Sequence, residues 1–243
     1  MTTPGSRVFR WPAAHRLIPS LYSEAGTVLA ELAGNQADLH NLIALDGATN
    51  DRVQAEQQGI IGISTYELVY GIPYAHIVNA AFTHASDAGA RFNDHTRGAW
   101  YAAAHQAASL AEVTYHKARR LALIVCPSEP FGKPSRDVST YDDWLADFEA
   151  EFHVLEPPSA FADCLLPEPV PECYDNSQLL ARGLLNSGSN GLVYPSVRRP
   201  GAQCLVCFRP ALVYYPRKSE RLQITFTATL TGYRHHVSRS STD

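Results

Sequence analysis

A proline-rich stretch limits what this chain can fold into more than any other feature. Residues 156–172 carry Pro157, Pro158, Pro167, Pro169 and Pro171. Each proline removes a backbone donor and fixes φ, so the stretch is neither a regular helix nor a central strand. It is expected to be a long surface connection between two differently patterned parts. In the earlier part, residues 21–58 place Val28, Leu29, Leu32, Leu39, Leu42, Ile43 and Leu45 at helical spacing, interrupted at Gly34-Asn35 and Gly47-Ala48-Thr49-Asn50. That pattern predicts a helical N-terminal region, about residues 10–60. Residues 100–120 lack Gly and Pro, are rich in Ala and follow Gly98, which predicts the clearest helix of the chain. The apolar run Leu121-Ala122-Leu123-Ile124-Val125-Cys126 suits a short buried strand. Thr140 followed by Asp143 predicts a capped helix carrying Trp144, Leu145, Phe148 and Phe152.

Beyond the prolines, Asn176 begins another amphipathic helix through Leu179, Leu180, Leu184 and Leu185, stopped near Gly188. Leu192-Val193-Tyr194 and residues 204–208 read as strands. Leu222, Ile224, Phe226, Ala228 and Leu230 alternate with Gln223, Thr225, Thr227 and Thr229, as in a strand with one wet face. Helices early, strands late and no regular βαβ alternation argue for an α+β domain around a mostly antiparallel sheet. No internal repeat interrupts this organisation.

At 243 residues the chain is long enough for one large core, and 45% hydrophobic with 18% charged residues excludes wholesale disorder. A formal net charge of −4 is too balanced for the broad basic field that nucleic acid or an anionic membrane attracts. No run approaches the roughly 18 apolar residues of a membrane span, and the first residues lack the apolar core of a secretion signal, so a cytoplasmic protein is expected. Five Cys, an odd and sparse set, point to reduced thiols rather than a disulfide framework.

The common dinucleotide, P-loop, zincin and hydrolase-elbow motifs are missing from the sequence. Cys204 and Cys207 form one C-x-x-C, but no second pair accompanies them, and a strand would point them to opposite faces. No metal is expected. Arg91 follows Gly89 in a turn, and at helical spacing Tyr101 and Glu112 fall on nearly one face, with His105 and His116 beside them. That stripe is either the lining of a cleft or a solvated face with a local Glu112–His116 contact. Ser196 lies just past a predicted strand and is followed by Arg198 and Arg199. There it either bonds local backbone or, with the two arginines, meets a phosphate-bearing ligand.

Several short segments in order resemble the RES-domain family, the toxin half of bacterial RES-Xre toxin-antitoxin pairs. They are Val8-Phe9-Arg10-Trp11, Gly89-Ala90-Arg91-Phe92-Asn93, Trp100-Tyr101-Ala102-Ala103, Leu110-Ala111-Glu112-Val113 and Tyr174-Asp175-Asn176-Ser177-Gln178. Gly191-Leu192-Val193-Tyr194-Pro195-Ser196-Val197-Arg198-Arg199 and Phe208-Arg209-Pro210 complete the set, and Thr49-Asn50-Asp51-Arg52 looks like part of the longer members. Ala90 departs from the Gly or Ser that many relatives carry there. The resemblance implies a single domain over residues 1–243 with its catalytic core at about 70–215. The implied fold is ADP-ribosyltransferase-like, a mostly antiparallel split sheet flanked by helices. The family's Arg, Glu and Ser fall on Arg91, Glu112 and Ser196, with Arg10, Tyr101, Asn93 and Arg198 as further substrate-binding residues. It also implies that NAD+ is a substrate and not a cofactor, with inorganic phosphate as a candidate co-substrate. The activities implied are phosphorolysis, hydrolysis or ADP-ribosyl transfer, and a non-catalytic nucleotide-binding relative is the remaining alternative. An Xre-family antitoxin is the implied protein partner, and assembly with a second copy of the chain is left open by the sequence.

Overall fold

A computed structural model of the chain describes residues 3–23 and 62–239. Most of the expected N-terminal helical region, including residues 49–52, lies outside the described residues. The part of it that is described begins as a strand, β1 (Ser6–Pro19), and ends in a single helical turn, α1 (Ser20–Ser23). There follow α2 (Ala75–Thr83), β2 (Trp100–Ala103), α3 (Gln106–Ala122), β3 (Arg136–Val154), α4 (Asp175–Asn186), β4 (Gly191–Pro195), β5 (Gln203–Cys207), β6 (Tyr214–Thr229) and β7 (Gly232–Arg239).

The seven strands run in the order β1-β2-β5-β4-β3-β6-β7, and β1 also pairs with β3. Five strands therefore close on themselves, while β6 and β7 extend the sheet past β3. The ladders are antiparallel apart from a short parallel contact of β3 with β4, at His153↔Leu192 and Val154↔Val193. A mixed α/β domain around a mostly antiparallel sheet is what the late strands and the missing βαβ alternation predict. Among the described residues no helix is long and apolar enough to cross a membrane.

Three expected elements differ. Residues 140–152 are not a helix but the middle of β3. Trp144, Phe148 and Phe152 are spaced by four, which satisfies a helical stripe and a strand face equally well. Ala146 and Val154, also buried, complete the period of two. The predicted helix over residues 100–120 starts only at Gln106, because Trp100–Ala103 pairs residue for residue with β5, from Trp100↔Cys207 to Ala103↔Cys204. Full burial of the Trp100 ring there outweighs the helical preference of its alanines. Residues 121–126 are not a strand. Leu121 and Ala122 finish α3, Leu123 caps it, and Val125 is 79% exposed in the following turn.

The other elements stand as expected. α4 buries Leu180, Ala181 and Leu184 and is followed by Gly188 at φ 87°, a left-handed position suited to glycine. In β6, Leu222, Ile224 and Phe226 point inward. β4 and β5 alternate between two cores: Leu192, Tyr194, Cys204 and Val206 pack on the α4 side, and Val193, Leu205 and Cys207 on the α2 side. Residues 156–172 form the long connection the prolines dictate, built from short 3-10 turns.

Candidate active site

The turn that presents Arg91 is fixed by its glycine. Gly89 has φ +67°, and a Cβ there would sit 2.2 Å from the carbonyl oxygen of Asn93. The turn closes by Ala90 N–H donating to Asn93 O at 2.8 Å and is held from behind by Tyr101. The Tyr101 hydroxyl accepts from Phe92 N–H at 2.9 Å and donates to Asn93 Oδ1 at 2.8 Å. Burial pushes the Tyr101 phenol well above its ordinary range, so it stays neutral. Asn93 thus acts through Tyr101, while the Tyr101 ring itself lines a cleft.

That cleft has a volume of about 270 Å³. β1 contributes Arg16, β2 Tyr101, α3 Ser109, Glu112 and His116, β4 Tyr194 and β5 Cys204, with Arg91 and Tyr174 closing one side. Arg91 is buried and donates through Nη1 to the carbonyls of Cys164 at 3.1 Å and Leu166 at 2.9 Å. Its guanidinium lies 5.0 Å from the centre of the Tyr174 ring. The proline-rich connection is therefore the wall that positions Arg91.

Glu112 reaches the cleft from α3. Ser196, buried in the turn after β4, donates from Oγ to Glu112 Oε1 at 3.4 Å and accepts Arg199 N–H at 3.1 Å. Burial raises the Glu112 pKa, against the opposing pull of Arg198, Arg91 and the Ser196 hydroxyl. His116 Nε2 lies 3.8 Å from Glu112 Oε2. Burial, reinforced by Arg198, Arg119, Arg91 and Arg120, lowers His116 to about 4, so at neutral pH the ring beside Glu112 is uncharged. Burial also lifts the Cys204 thiol to about 12, and it stays protonated.

Arg91, Tyr101 and Glu112 meet in this cleft, and Ser196 touches Glu112 without lining it. Tyr101 comes from a strand rather than from the helix that carries Glu112. His105 is exposed at the start of α3 and does not line the cleft. Arg198 stands outside it, donating to Pro167 O at 2.6 Å with its guanidinium 3.4 Å from the centre of the Tyr115 ring. Arg10 is elsewhere altogether, an exposed partner of Glu149 at 2.8 Å. The arginine that β1 sends into the cleft is Arg16. Between Trp11 and Ala14 the β1–β3 register shifts, with Ala13 at φ 56°. One inserted residue flips the faces, so Arg10 and Arg16, which plain alternation would put on one side, point to opposite sides. The one local sequence signal of the bulge is Pro12, a residue that strands hold at edges or bulges.

Arg16 stacks 4.8 Å from the Trp100 ring centre and donates to Ala99 O and Tyr101 O only at 3.4 Å. Its buried Nε has no hydrogen-bond partner among the described residues. Arg16 and Arg91 are thus two cleft cations held by carbonyls and rings, facing the single carboxylate Glu112. Cys204 and Cys207 are free thiols on opposite faces of β5 and do not converge. Among the described residues no group of three or more His, Cys, Asp or Glu is placed to hold a metal ion.

A family model for the RES domain matches residues 68–227, well over half of the chain. The protein belongs to the RES-domain family. The matched range spans Arg91, Tyr101, Glu112 and Ser196, whereas Arg16 on β1 and all of β7 fall outside it. No curated protein matches this RES-domain chain.

Proposed function

We propose that this RES-domain protein cleaves the nicotinamide–ribose bond of NAD+, on an ADP-ribosyltransferase-like scaffold, as the cytoplasmic toxin of a bacterial toxin-antitoxin pair. The observation that carries the reading is the convergence of Arg91, Glu112 and Tyr101 on one cleft, with Ser196 hydrogen-bonded to the Glu112 carboxyl. Leaving of nicotinamide builds positive charge at ribose C1′, and a fixed carboxylate beside it stabilises that charge where water is scarce. Glu112 has that role, and Ser196 steadies its carboxylate. Tyr101, anchored through its hydroxyl, offers its ring to nicotinamide. Arg16 and Arg91 supply charge-assisted hydrogen bonds to phosphate oxygens, either of the diphosphate or of an incoming phosphate. The C1′–N bond breaks with its electron pair going to the ring nitrogen, so nicotinamide leaves neutral and needs no general acid. An oxygen of a phosphate dianion then bonds to C1′, or a water oxygen does and its proton passes to solvent. His116, neutral at pH 7, borders the acceptor side.

A cleft of about 270 Å³ suits the nicotinamide-riboside end of the dinucleotide. Nicotinamide release from NAD+ by the purified protein, with and without inorganic phosphate, tests the reading. Phosphate-dependent release identifies phosphorolysis, and release without phosphate identifies hydrolysis. Label transferred from NAD+ to protein identifies ADP-ribosylation instead. Binding of NAD+ without any of these marks a non-catalytic relative, and an Xre-type antitoxin would be recognised by blocking release.

A further inference from the structure

His116 follows Glu112 by one turn of α3, so the two side chains enter the cleft together from one face of the helix. Each oxygen of the Glu112 carboxyl has its own neighbour. Oε1 accepts from Ser196 Oγ at 3.4 Å, and Oε2 faces His116 Nε2 at 3.8 Å. At that separation the carboxylate and the ring do not bond each other directly, but one water oxygen about 2.8 Å from both atoms donates a hydrogen to each. The ring serves as acceptor when its own hydrogen is on Nδ1, which leaves the lone pair on Nε2. Its orientation is set from the side. Tyr115 meets the ring edge-on at 5.2 Å and is itself fixed, donating its hydroxyl to Glu168 at 2.7 Å with the Arg198 guanidinium 3.4 Å from its ring centre.

The charges of the cleft favour water on this side. Among the described residues that line it, Arg16 and Arg91 are the two cations, and they match the two negative charges of one diphosphate. A phosphate dianion brought to C1′ would add two more negative charges beside the Glu112 carboxylate, with no further lining cation to meet them. Water brings no charge and supplies the two hydrogens that Oε2 and Nε2 accept.

We propose that His116, with its ring hydrogen on Nδ1, is the base that takes a proton from the attacking water, so that the acceptor of the ADP-ribosyl group is water. This rests on the NAD+ reading above and names its nucleophile. As nicotinamide leaves with the bonding pair, a lone pair of the water oxygen forms the new bond to C1′. One O–H bond breaks, its electron pair stays on oxygen and its proton goes to Nε2, giving ADP-ribose and an imidazolium beside the Glu112 carboxylate. A weak base is enough, because water bonded to a cationic carbon is a strong acid. The nearby Arg198, Arg119, Arg91 and Arg120 disfavour the imidazolium, and the side chain is 41% exposed, so the proton then passes to solvent and the ring is ready for the next turnover.

Product analysis of NAD+ turnover by the purified protein tests this, each variant being shown to be folded by its urea transition. Wild type forms ADP-ribose without phosphate, and ADP-ribose remains the product when phosphate is added. His116→Gln keeps an oxygen that accepts from water but carries no proton away, so kcat falls roughly 100-fold while KM stays within about twofold. His116→Ala shows the same loss, and imidazole added to the buffer restores much of its hydrolysis, which a merely structural role for the ring would not allow. Hydrolysis by His116→Gln at the wild-type rate, no response of His116→Ala to imidazole, or release by wild type that needs phosphate and yields ADP-ribose phosphate overturns the assignment. The absence of nicotinamide release by wild type in either buffer is a different result, which overturns the NAD+ reading and the role of His116 with it.

Discussion

Arg16 is a cation in a place that does the fold no favour, and replacing it should separate stability from activity. Burial lowers its pKa to about 10, against the weaker opposing influence of Tyr101. At about 1.36 kcal/mol for each tenfold change in proton affinity, the buried charge costs roughly 3 kcal/mol. Because the folded pKa lies below the unfolded one, this cost is present in full at neutral pH. It disappears only as pH rises past the unfolded value. Against it stand two carbonyl contacts at 3.4 Å and the stacking on Trp100, together about 1 to 2 kcal/mol. Arg16→Met keeps the stem on Trp100 and removes the charge, so the variant is expected to be more stable by about 1 to 2 kcal/mol. In urea unfolding followed by the fluorescence of buried Trp100 and Trp144, the midpoint rises by about 0.5 M with unchanged slope. In the same variant kcat/KM for nicotinamide release falls roughly 10- to 100-fold, from the lost bond to a phosphate oxygen. A variant that unfolds at lower urea would refute the reasoning, since Arg16 would then hold the fold and not a ligand.

Other outcomes follow from the same geometry. The kcat/KM for nicotinamide release rises with pH as Glu112 ionises, with a midpoint above the ordinary glutamate value because burial raises it, and no further step from His116 appears near neutrality. A pH profile with its midpoint below the ordinary glutamate value contradicts that assignment. Asp142 is fully buried, and although burial pushes its pKa up, the hydrogen bonds from Arg221, Ser23 and Lys218 outweigh burial and hold it low. Asp142→Asn therefore costs about 3 kcal/mol at pH 7. A lowered folded pKa stabilises above the unfolded value, so the gap to wild type closes as pH falls through the acid range, which unfolding at a series of pH values will show. Gly191 has φ +143°, and a Cβ there would lie 2.0 Å from the carbonyl oxygen of Val206 across the β4–β5 ladder. Gly191→Ala is expected to lose more than about 2 kcal/mol in the same urea assay.

What the sequence made legible was whatever has a single local cause. Prolines announce the 156–172 connection, and alternation announces β6. The segments of β4 and β5 read as strands because they are short apolar runs. The α4 helix ends where Gly188 permits it. The failures come where two causes compete. A spacing of four between Trp144, Phe148 and Phe152 fits two periods, and only Ala146 and Val154 between and beyond them decide for the strand. Alanines at 102 and 103 favour helix, but pairing with β5 is a long-range term that no window of sequence contains. The candidate site divides the same way. Arg91, Tyr101, Glu112 and Ser196 were found by family resemblance, whereas Arg16 was missed because a bulge at Ala13 decides which arginine of β1 faces the cleft. Tyr174 and Tyr194 join the lining only through tertiary packing, as does the role of the connection in holding Arg91.

The most direct test of the account is nicotinamide release from NAD+ by wild type beside Glu112→Gln, each shown to be folded by the same urea transition. Removing one electrostatic stabiliser of the C1′ charge predicts a folded variant whose turnover falls roughly 100-fold or more, with affinity for NAD+ little changed. Turnover equal to wild type in folded Glu112→Gln, or no release by wild type with or without phosphate, would contradict it.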